Sequence, residues 1–354
     1  MNLLPFSIWE ERNDTCLKGG VSMSRILSLL LAVLTLAGCT RAPAQELSAF
    51  MPQPEERLVI YTSHKESVYA PIIKEFEQRT GIWVEVQTGG TVTLLERIAA
   101  GDSGCDLLFG GGADSLNAYS SCFAPYTSPN ADAIAPKYDL GNGLWTPFSA
   151  LTTVLIYNTK LVRQNAPTGW NSLLDRAWQG RIAFADPTAS GSGYTALCTL
   201  LQVLPGDREQ TLRTFVDNLN GRVLEDSGSV ITAVADGSCY IGVTLEETAR
   251  KAVYDGLDLA VVYPEEGTCI LPDGAAVIQG CAHPENAQKF IDFLLAPETQ
   301  QRLVTDFFRR SIRSDVSDSL LPAPPALNYD LVQAESQRQT LLEHWQELTG
   351  EGIS

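Results

Sequence analysis

The apolar run Leu58-Val59-Ile60-Tyr61 passes through Thr62-Ser63-His64-Lys65-Glu66 into a second apolar pattern, Val68, Ile72, Ile73 and Phe76, at helical spacing. β-Branched and aromatic residues in the first part and a helical period in the second predict a strand, a turn and a helix. This unit constrains the fold strongly. It sets small polar side chains and the free N–H groups of a helix start at the carboxyl end of a strand, where open α/β sheets bind ligands. The chain repeats the device. Trp83-Val84-Glu85-Val86 leads through Gly89-Gly90-Thr91 to Leu94, Leu95, Ile98 and Ala99, and Asp106-Leu107-Leu108-Phe109 leads into Gly110-Gly111-Gly112-Ala113. The repetition predicts an α/β protein whose helix starts face a cleft suited to a small anionic solute.

Leu144 to Tyr157 is a long extended stretch broken by Pro147 and reads as a crossover into a second lobe. There, Gly169 to Gly180 predicts a short helix and Arg181-Ile182-Ala183-Phe184 a strand. Asp186-Pro187-Thr188-Ala189-Ser190-Gly191-Ser192 then forms a polar turn before a helical run from Tyr194 to Leu204. Arg222 to Glu225 and Tyr240 to Val243 repeat the pattern, the latter running into Thr244-Leu245-Glu246. Leu259 to Tyr263 would cross back, and Ala275 to Ile278 would rejoin the first sheet. Pro284-Glu285-Asn286 opens an amphipathic helix with a break at Pro297, and the tail beyond Pro325 reads as polar and helical to Thr349. The expected division is a first lobe of 57–148 with 270–314, a second of 149–269, and a C-terminal helical segment, 315–354.

Met23-Ser24-Arg25 followed by the apolar run Ile26 to Leu36 reads as a targeting signal, too short to span a bilayer as a stable helix. On this reading residues 1–22 are an upstream extension, 23–38 the signal peptide and 39–56 a flexible tether. The formal charge of −17 argues against nucleic acid as a partner, since a phosphate backbone demands a basic face. Eight cysteines include Cys16 and Cys39; the other six are Cys105, Cys122, Cys198, Cys239, Cys269 and Cys281. In an exported chain an even count permits disulfides, with Cys105–Cys122 and Cys269–Cys281 the pairs nearest in sequence. Buried free thiols are the alternative. No Cys-x-x-Cys, Walker-type, Gly-x-Ser-x-Gly or His-Glu-x-x-His motif is present, so no metal, cofactor or catalytic residue is predicted.

Four stretches in this order, Tyr61-Thr62-Ser63-His64-Lys65-Glu66, Phe76-Glu77-Gln78-Arg79-Thr80-Gly81-Ile82, Asp186-Pro187-Thr188-Ala189-Ser190-Gly191-Ser192 and His283-Pro284-Glu285-Asn286-Ala287, resemble a bacterial extracellular solute-binding protein of an ABC importer. Within that family the chain is similar to the ferric-binding-like branch, which includes receptors for hexose phosphates and 2-aminoethylphosphonate. Leu36-Ala37-Gly38-Cys39 likewise resembles a lipobox, which implies lipidation of Cys39 and anchoring to the extracytoplasmic face of the cell membrane. An ordinary secretory signal with a chance cysteine is the alternative. The resemblance implies an α/β, two-lobed periplasmic-binding-protein fold of type II, with the ligand cleft between the lobes. It also implies a monomer that delivers a small anionic solute, a phosphorylated sugar or an organophosphonate, to permease subunits. Ferric members add a carboxylate after the third strand and adjacent tyrosines in the second lobe; here Phe109 is followed by three glycines and Gly242-Val243-Thr244-Leu245-Glu246 has no tyrosine pair. A ferric receptor is therefore the alternative reading, and a hydrolase built on Ser63 and His64 the remoter one.

The candidate ligand-binding residues are hydroxyl donors, Ser63, Thr91, Thr188, Ser190 and Thr244; backbone at Gly90, Gly111 and Gly191; His64; and two acceptors for hydroxyls or an amine, Asp186 and Glu246. Each hydroxyl could serve only as a helix cap, and Asp186 only as a turn residue. Arg309, Arg310 and Arg313 could reach an anion, but a solvated surface or structural ion pairs is the favoured reading. His283 and His344 read as structural.

Overall fold

A computed structural model describes residues 52–350 except 102–103 and 319–320. The upstream extension, the signal segment, Cys39 and the tether up to Met51 lie outside these residues. In chain order the strands are β1 (Arg57–Thr62), β2 (Trp83–Thr88), β3 (Leu107–Gly112), β4 (Thr146–Asn158), β5 (Ile182–Ala185), β6 (Val223–Leu224), β7 (Ile241–Leu245), β8 (Leu259–Val262), β9 (Ile270–Val277) and β10 (Arg310–Ser311). They join in the order β2-β1-β3-β9-β4-β7-β5-β6, with β8 and β10 also paired to β4.

Two α/β halves share this sheet. In the first, β1 is parallel to β2 and β3, while β9 runs antiparallel to β3. The predicted opening unit is present: β1 ends at Thr62 and the helix Glu66–Thr80 buries Val68, Ile72, Ile73 and Phe76. That stripe at i, i+4, i+5 and i+8 packs on the sheet, and Gly81 ends the helix in the left-handed conformation, at φ 74°. The core of this half is aromatic, with Phe109 edge-on to Phe148 at 4.9 Å and Phe76 edge-on to Phe290 at 4.9 Å. In the second half β5 is parallel to β6 and β7, and β7 is antiparallel to β4. Trp170, Phe184, Phe215 and Trp345 fill its core.

β4 belongs to both halves. Its first residues lie between β9 and β10, with Ser149 opposite both Asp273 and Ser311, whereas Leu155 faces Val243 and Val262. A strand whose neighbours change along its length, together with its partner β9, is the natural place for one half to turn on the other.

The structure differs from expectation in three places. The segment predicted as a short helix is two 3-10 turns, Trp170–Leu174 and Arg176–Trp178. The tail is not wholly polar. Helices Leu331–Ser336 and Arg338–Thr349 place Trp345 in the second core beside Phe184 and Phe215, while Glu335 accepts from Asn117 Nδ2 of the first half at 2.7 Å.

Third, the structure bridges none of the six described cysteines, and neither sequence-adjacent pair can close. Cys269 and Cys281 flank β9, whose residues extend about 26 Å at 3.3 Å each. Beyond that strand Ile278 N–H donates to Asp106 O on one side at 3.0 Å, and Gln279 N–H donates to Cys122 O on the other at 2.9 Å. Cys105 and Cys122 thus approach from opposite edges, two strand spacings or about 10 Å apart, where a disulfide spans roughly 7 Å between Cα atoms.

Candidate ligand-binding site

A cavity of about 490 Å³ opens where segments of the two halves meet. One wall comes from Thr62–Lys65, Ser67 and Val68, Thr88–Thr91 and Thr93, and Gly111–Gly112; the other comes from Ala189–Ser192, Glu225–Ser227, and Leu245, Glu247, Thr248 and Lys251; Asp273, Phe307 and Arg309 also line it. The first turns of five helices reach it: Glu66–Thr80, Thr91–Ala99, Gly191–Val203, Ser227–Ala235 and Glu246–Tyr254. A helix start leaves backbone donors without an intrahelical partner. Two of the five are capped by protein, since Ser190 Oγ accepts from Gly193 N–H at 3.2 Å and Asp226 Oδ1 from Gly228 and Ser229 N–H at 2.6 and 2.8 Å. The other three, preceded by Lys65, Gly90 and Leu245, have no side-chain cap.

Seven of the eleven residues singled out from sequence line this cavity: Ser63, His64, Gly90, Thr91, Gly111, Ser190 and Gly191. Gly111 is there for a steric reason. Its φ is 94°, and a Cβ would stand 2.9 Å from Thr91 Cγ2.

Four lie elsewhere. Asp186 closes its own turn, accepting from Thr188 N–H at 2.9 Å and from the Thr188 hydroxyl at 2.7 Å, which also engages Thr188. Thr244 Oγ1 donates to Ser227 O at 2.8 Å. Glu246 accepts from Arg310 Nε and Nη2, both at 2.9 Å, and from the Tyr263 hydroxyl at 2.6 Å. The helix begins at Glu246, so its cleft-facing residues are Glu247, Thr248 and Lys251, one position later than the sequence reading placed them. That i, i+1, i+4 pattern was the available signal.

Arg309, read from sequence chiefly as a surface or structural ion-pair residue, lines the cavity, as do Lys65, Glu247 and Asp273, which sequence reasoning missed. Arg309 is the most connected of them. It is 4% exposed. Its Nη1 donates to Asp273 Oδ2 at 2.8 Å and to Ser149 Oγ at 2.9 Å, and its Nη2 donates to Glu247 Oε1 at 3.3 Å and lies 3.4 Å from His64 Nδ1. Burial and the Arg309 charge hold His64 well below the ordinary histidine value, so the ring is neutral at neutral pH. Burial likewise raises Asp273 and Glu247, with Arg309 acting against the rise. Lys65 reaches the opposite wall, with Nζ 3.4 Å from Thr248 Oγ1; burial lowers it, opposed by Glu247 and Asp226. Arg310 and Arg313 are buried too, but point into ion pairs with Glu246 and Asp315. His283 and His344 pair with Asp106 and Glu209, away from the cavity.

Among the described residues no group of three or more His, Cys, Asp and Glu is placed to hold a metal ion, and no helix is long and apolar enough to cross a membrane.

A protein of Actinobacillus pleuropneumoniae, the periplasmic binding protein AfuA with fructose 6-phosphate bound, superposes on 83% of this chain and 98% of its own with a TM-score of 0.77 at 23% identity. A putative 2-aminoethylphosphonate-binding periplasmic protein of Salmonella typhi is 24% identical over 254 residues, 69% of this chain and 74% of the relative. Iron uptake protein A1 of Synechocystis sp. is 24% identical over 319 residues, 84% and 86%. These likenesses establish the two-lobed periplasmic-binding-protein fold. The family described as bacterial extracellular solute-binding protein matches residues 102–329, and this chain belongs to it.

Proposed function

We propose that the protein captures a small organophosphate, a phosphorylated sugar or an organophosphonate, outside the cytoplasm and passes it unchanged to the permease of an ABC importer. The observation that carries this reading is the set of three helix starts without side-chain caps around one cavity. Backbone donors at such positions, with the helix dipole behind them, favour a phosphate or phosphonate group. Ser63 and Thr91 on one wall and Ser190 on the other add hydroxyls, and Lys65, Lys251 and Arg309 add positive charge.

The rest of the wall is acidic, with Glu225, Asp226, Glu247, Asp273 and Asp306. Five carboxylates against three cations suit a ligand whose other end donates hydrogen bonds, through sugar hydroxyls or an ammonium group. The role that the sequence reading gave to Asp186 and Glu246 passes to Asp226 and Glu247. The volume is that of a small-molecule site. A fructose 6-phosphate-bound neighbour and a phosphonate-binding relative support the same ligand chemistry. Halves 57–148 with 270–314 and 149–269 act as the closing lobes, and the monomer is held to the membrane by a lipid on Cys39.

Ferric iron is favoured less. The cavity wall has no tyrosine, and Asp273 is committed to Arg309 and Ser149. A thermal-shift series tests the choice, using hexose phosphates, 2-aminoethylphosphonate, the matching unphosphorylated sugars and ferric citrate. A true ligand at a hundred times its Kd adds about 2.7 kcal/mol, or roughly 5 °C for a domain of this size. Thr91→Val and Ser63→Ala should each weaken that ligand by about 10- to 100-fold. A shift with iron or neutral sugar alone would overturn the assignment.

A further inference from the structure

A second hollow, of about 410 Å³, lies beyond the C-terminal end of β9 and is lined by Cys105, Cys122 and Cys281. Capture of a solute uses none of them. Their positions are set by hydrogen bonds on both sides of the chain that follows β9. On one side, Ile278 N–H donates to Asp106 O at 3.0 Å, and Cys281 N–H donates to Ile278 O at 3.2 Å to close a turn through Gly280, whose φ is 73°. Just past the turn, His283 N–H donates to Asp106 Oδ1 at 2.9 Å, and its ring Nδ1 lies 2.8 Å from Oδ2. Backbone and side chain of Asp106 therefore both grip the segment that carries Cys281, which holds Cys281 beside Cys105, the residue preceding Asp106. Cys122 hangs from the opposite edge, where its carbonyl accepts from Gln279 N–H.

We infer that Cys105 and Cys281 form a disulfide in the exported protein and that Cys122 stays a thiol. Membership of an extracellular solute-binding family places the chain where such bonds persist. The oxidant is a small-molecule or protein disulfide. Cys281, half-buried and the more accessible of the two, attacks it as the thiolate to form a mixed disulfide and release one thiolate. The Cys105 thiolate then attacks Cys281 Sγ, forming the Sγ–Sγ bond and expelling the second. Two protein thiols are oxidised, one external disulfide is reduced to two thiols, and the two protons leave on those thiols. Burial pushes Cys105 up to about 12 and Cys281 up to about 11, so the exchange is slow and the finished bond resists reduction. The link ties the lead into β3 to the turn after β9 and closes a long loop.

The exported full chain, equilibrated with glutathione disulfide, quenched in acid and alkylated, tests this by peptide mapping. The expected product links the Cys105 peptide to the Cys281 peptide, with Cys122 alkylated and the intact mass lower by two hydrogens. Its melting midpoint should fall by about 5–10 °C on reduction. In Cys281→Ala, Cys105 should become alkylated and reductant should leave the midpoint unchanged. Alkylation of both Cys105 and Cys281 in the oxidised wild type, or a link through Cys122, overturns the assignment, and the wild-type map alone decides this if the variant does not fold.

Discussion

Replacing Arg309 by methionine removes the one cation that stands between Asp273 and Glu247 while keeping most of the volume. Asp273 is fully buried and its Oδ2 is 2.8 Å from Nη1; Glu247 is 7% exposed and its Oε1 is 3.3 Å from Nη2. Taking one member from a buried ion pair leaves an uncompensated charge and costs about 3–5 kcal/mol, roughly 6–10 °C in midpoint for about 300 residues. The cost must depend on pH in a defined sense. Burial already raises both carboxyls in the wild type, and Arg309 opposes that rise, so its loss lifts them further. Groups raised in the folded state contribute stability that is present below their unfolded values, near pH 4, and lost as pH climbs through the folded ones. The deficit of Arg309→Met relative to wild type should therefore be below about 1 kcal/mol at pH 4 and reach its full size by neutral pH. Chemical denaturation of both proteins at pH 4 and 7.5 measures it. An equal deficit at the two pH values, or one under about 1 kcal/mol at pH 7.5, would refute the reasoning.

Adjacent acids should behave differently: Glu246→Gln, which strips Arg310 of its buried partner, is expected to cost about 3 kcal/mol with unchanged ligand affinity, whereas Glu247→Gln should change the Kd by calorimetry. Gly111→Ala forces a left-handed φ and a contact at 2.9 Å with Thr91, so it should destabilise by about 1–3 kcal/mol and weaken ligand binding together; unaltered affinity would show that Thr91 is not part of the site. Trp345→Ala should cost about 3–5 kcal/mol in a melting experiment, because the side chain is fully buried against Phe184 and Phe215. His64 is held below its ordinary value, so the wild type should lose stability as pH falls from about 6.5 towards the depressed value, and His64→Gln should lack that loss in the same pH series.

The strand–turn–helix unit from Leu58 to Phe76 was legible because its signals are local: a two-fold period gives way to a 3.6-fold one at a polar turn, and both elements formed where the pattern put them. The same holds for Gly90-Thr91, Gly111 and Ser190-Gly191, since a glycine or hydroxyl at the start of a helix reports its own position along the chain. Locality also set the limit of the reading. Asp186, Thr188, Thr244 and Glu246 sit at correct turns, but which way a side chain faces at a turn depends on the helix start to within one residue, as Glu246 and Glu247 demonstrate. Trp345 looked like part of a polar tail because the apolar surface that receives it comes from Phe184 and Phe215, more than a hundred residues earlier.

By itself, then, the sequence determined the alternation of strands and helices, the polar turns that line a cleft, and the acidic balance of the chain. Only the tertiary structure decided the charge at the centre of that cleft. Arg309 reaches Asp273 and Glu247 because β10 pairs with β4, with Arg310 opposite Ala150, and β4 pairs with both β9 and β7. Interactions between residues 36 and 62 positions apart leave no periodic trace in sequence, because they are fixed by strand pairing and not by local backbone preference.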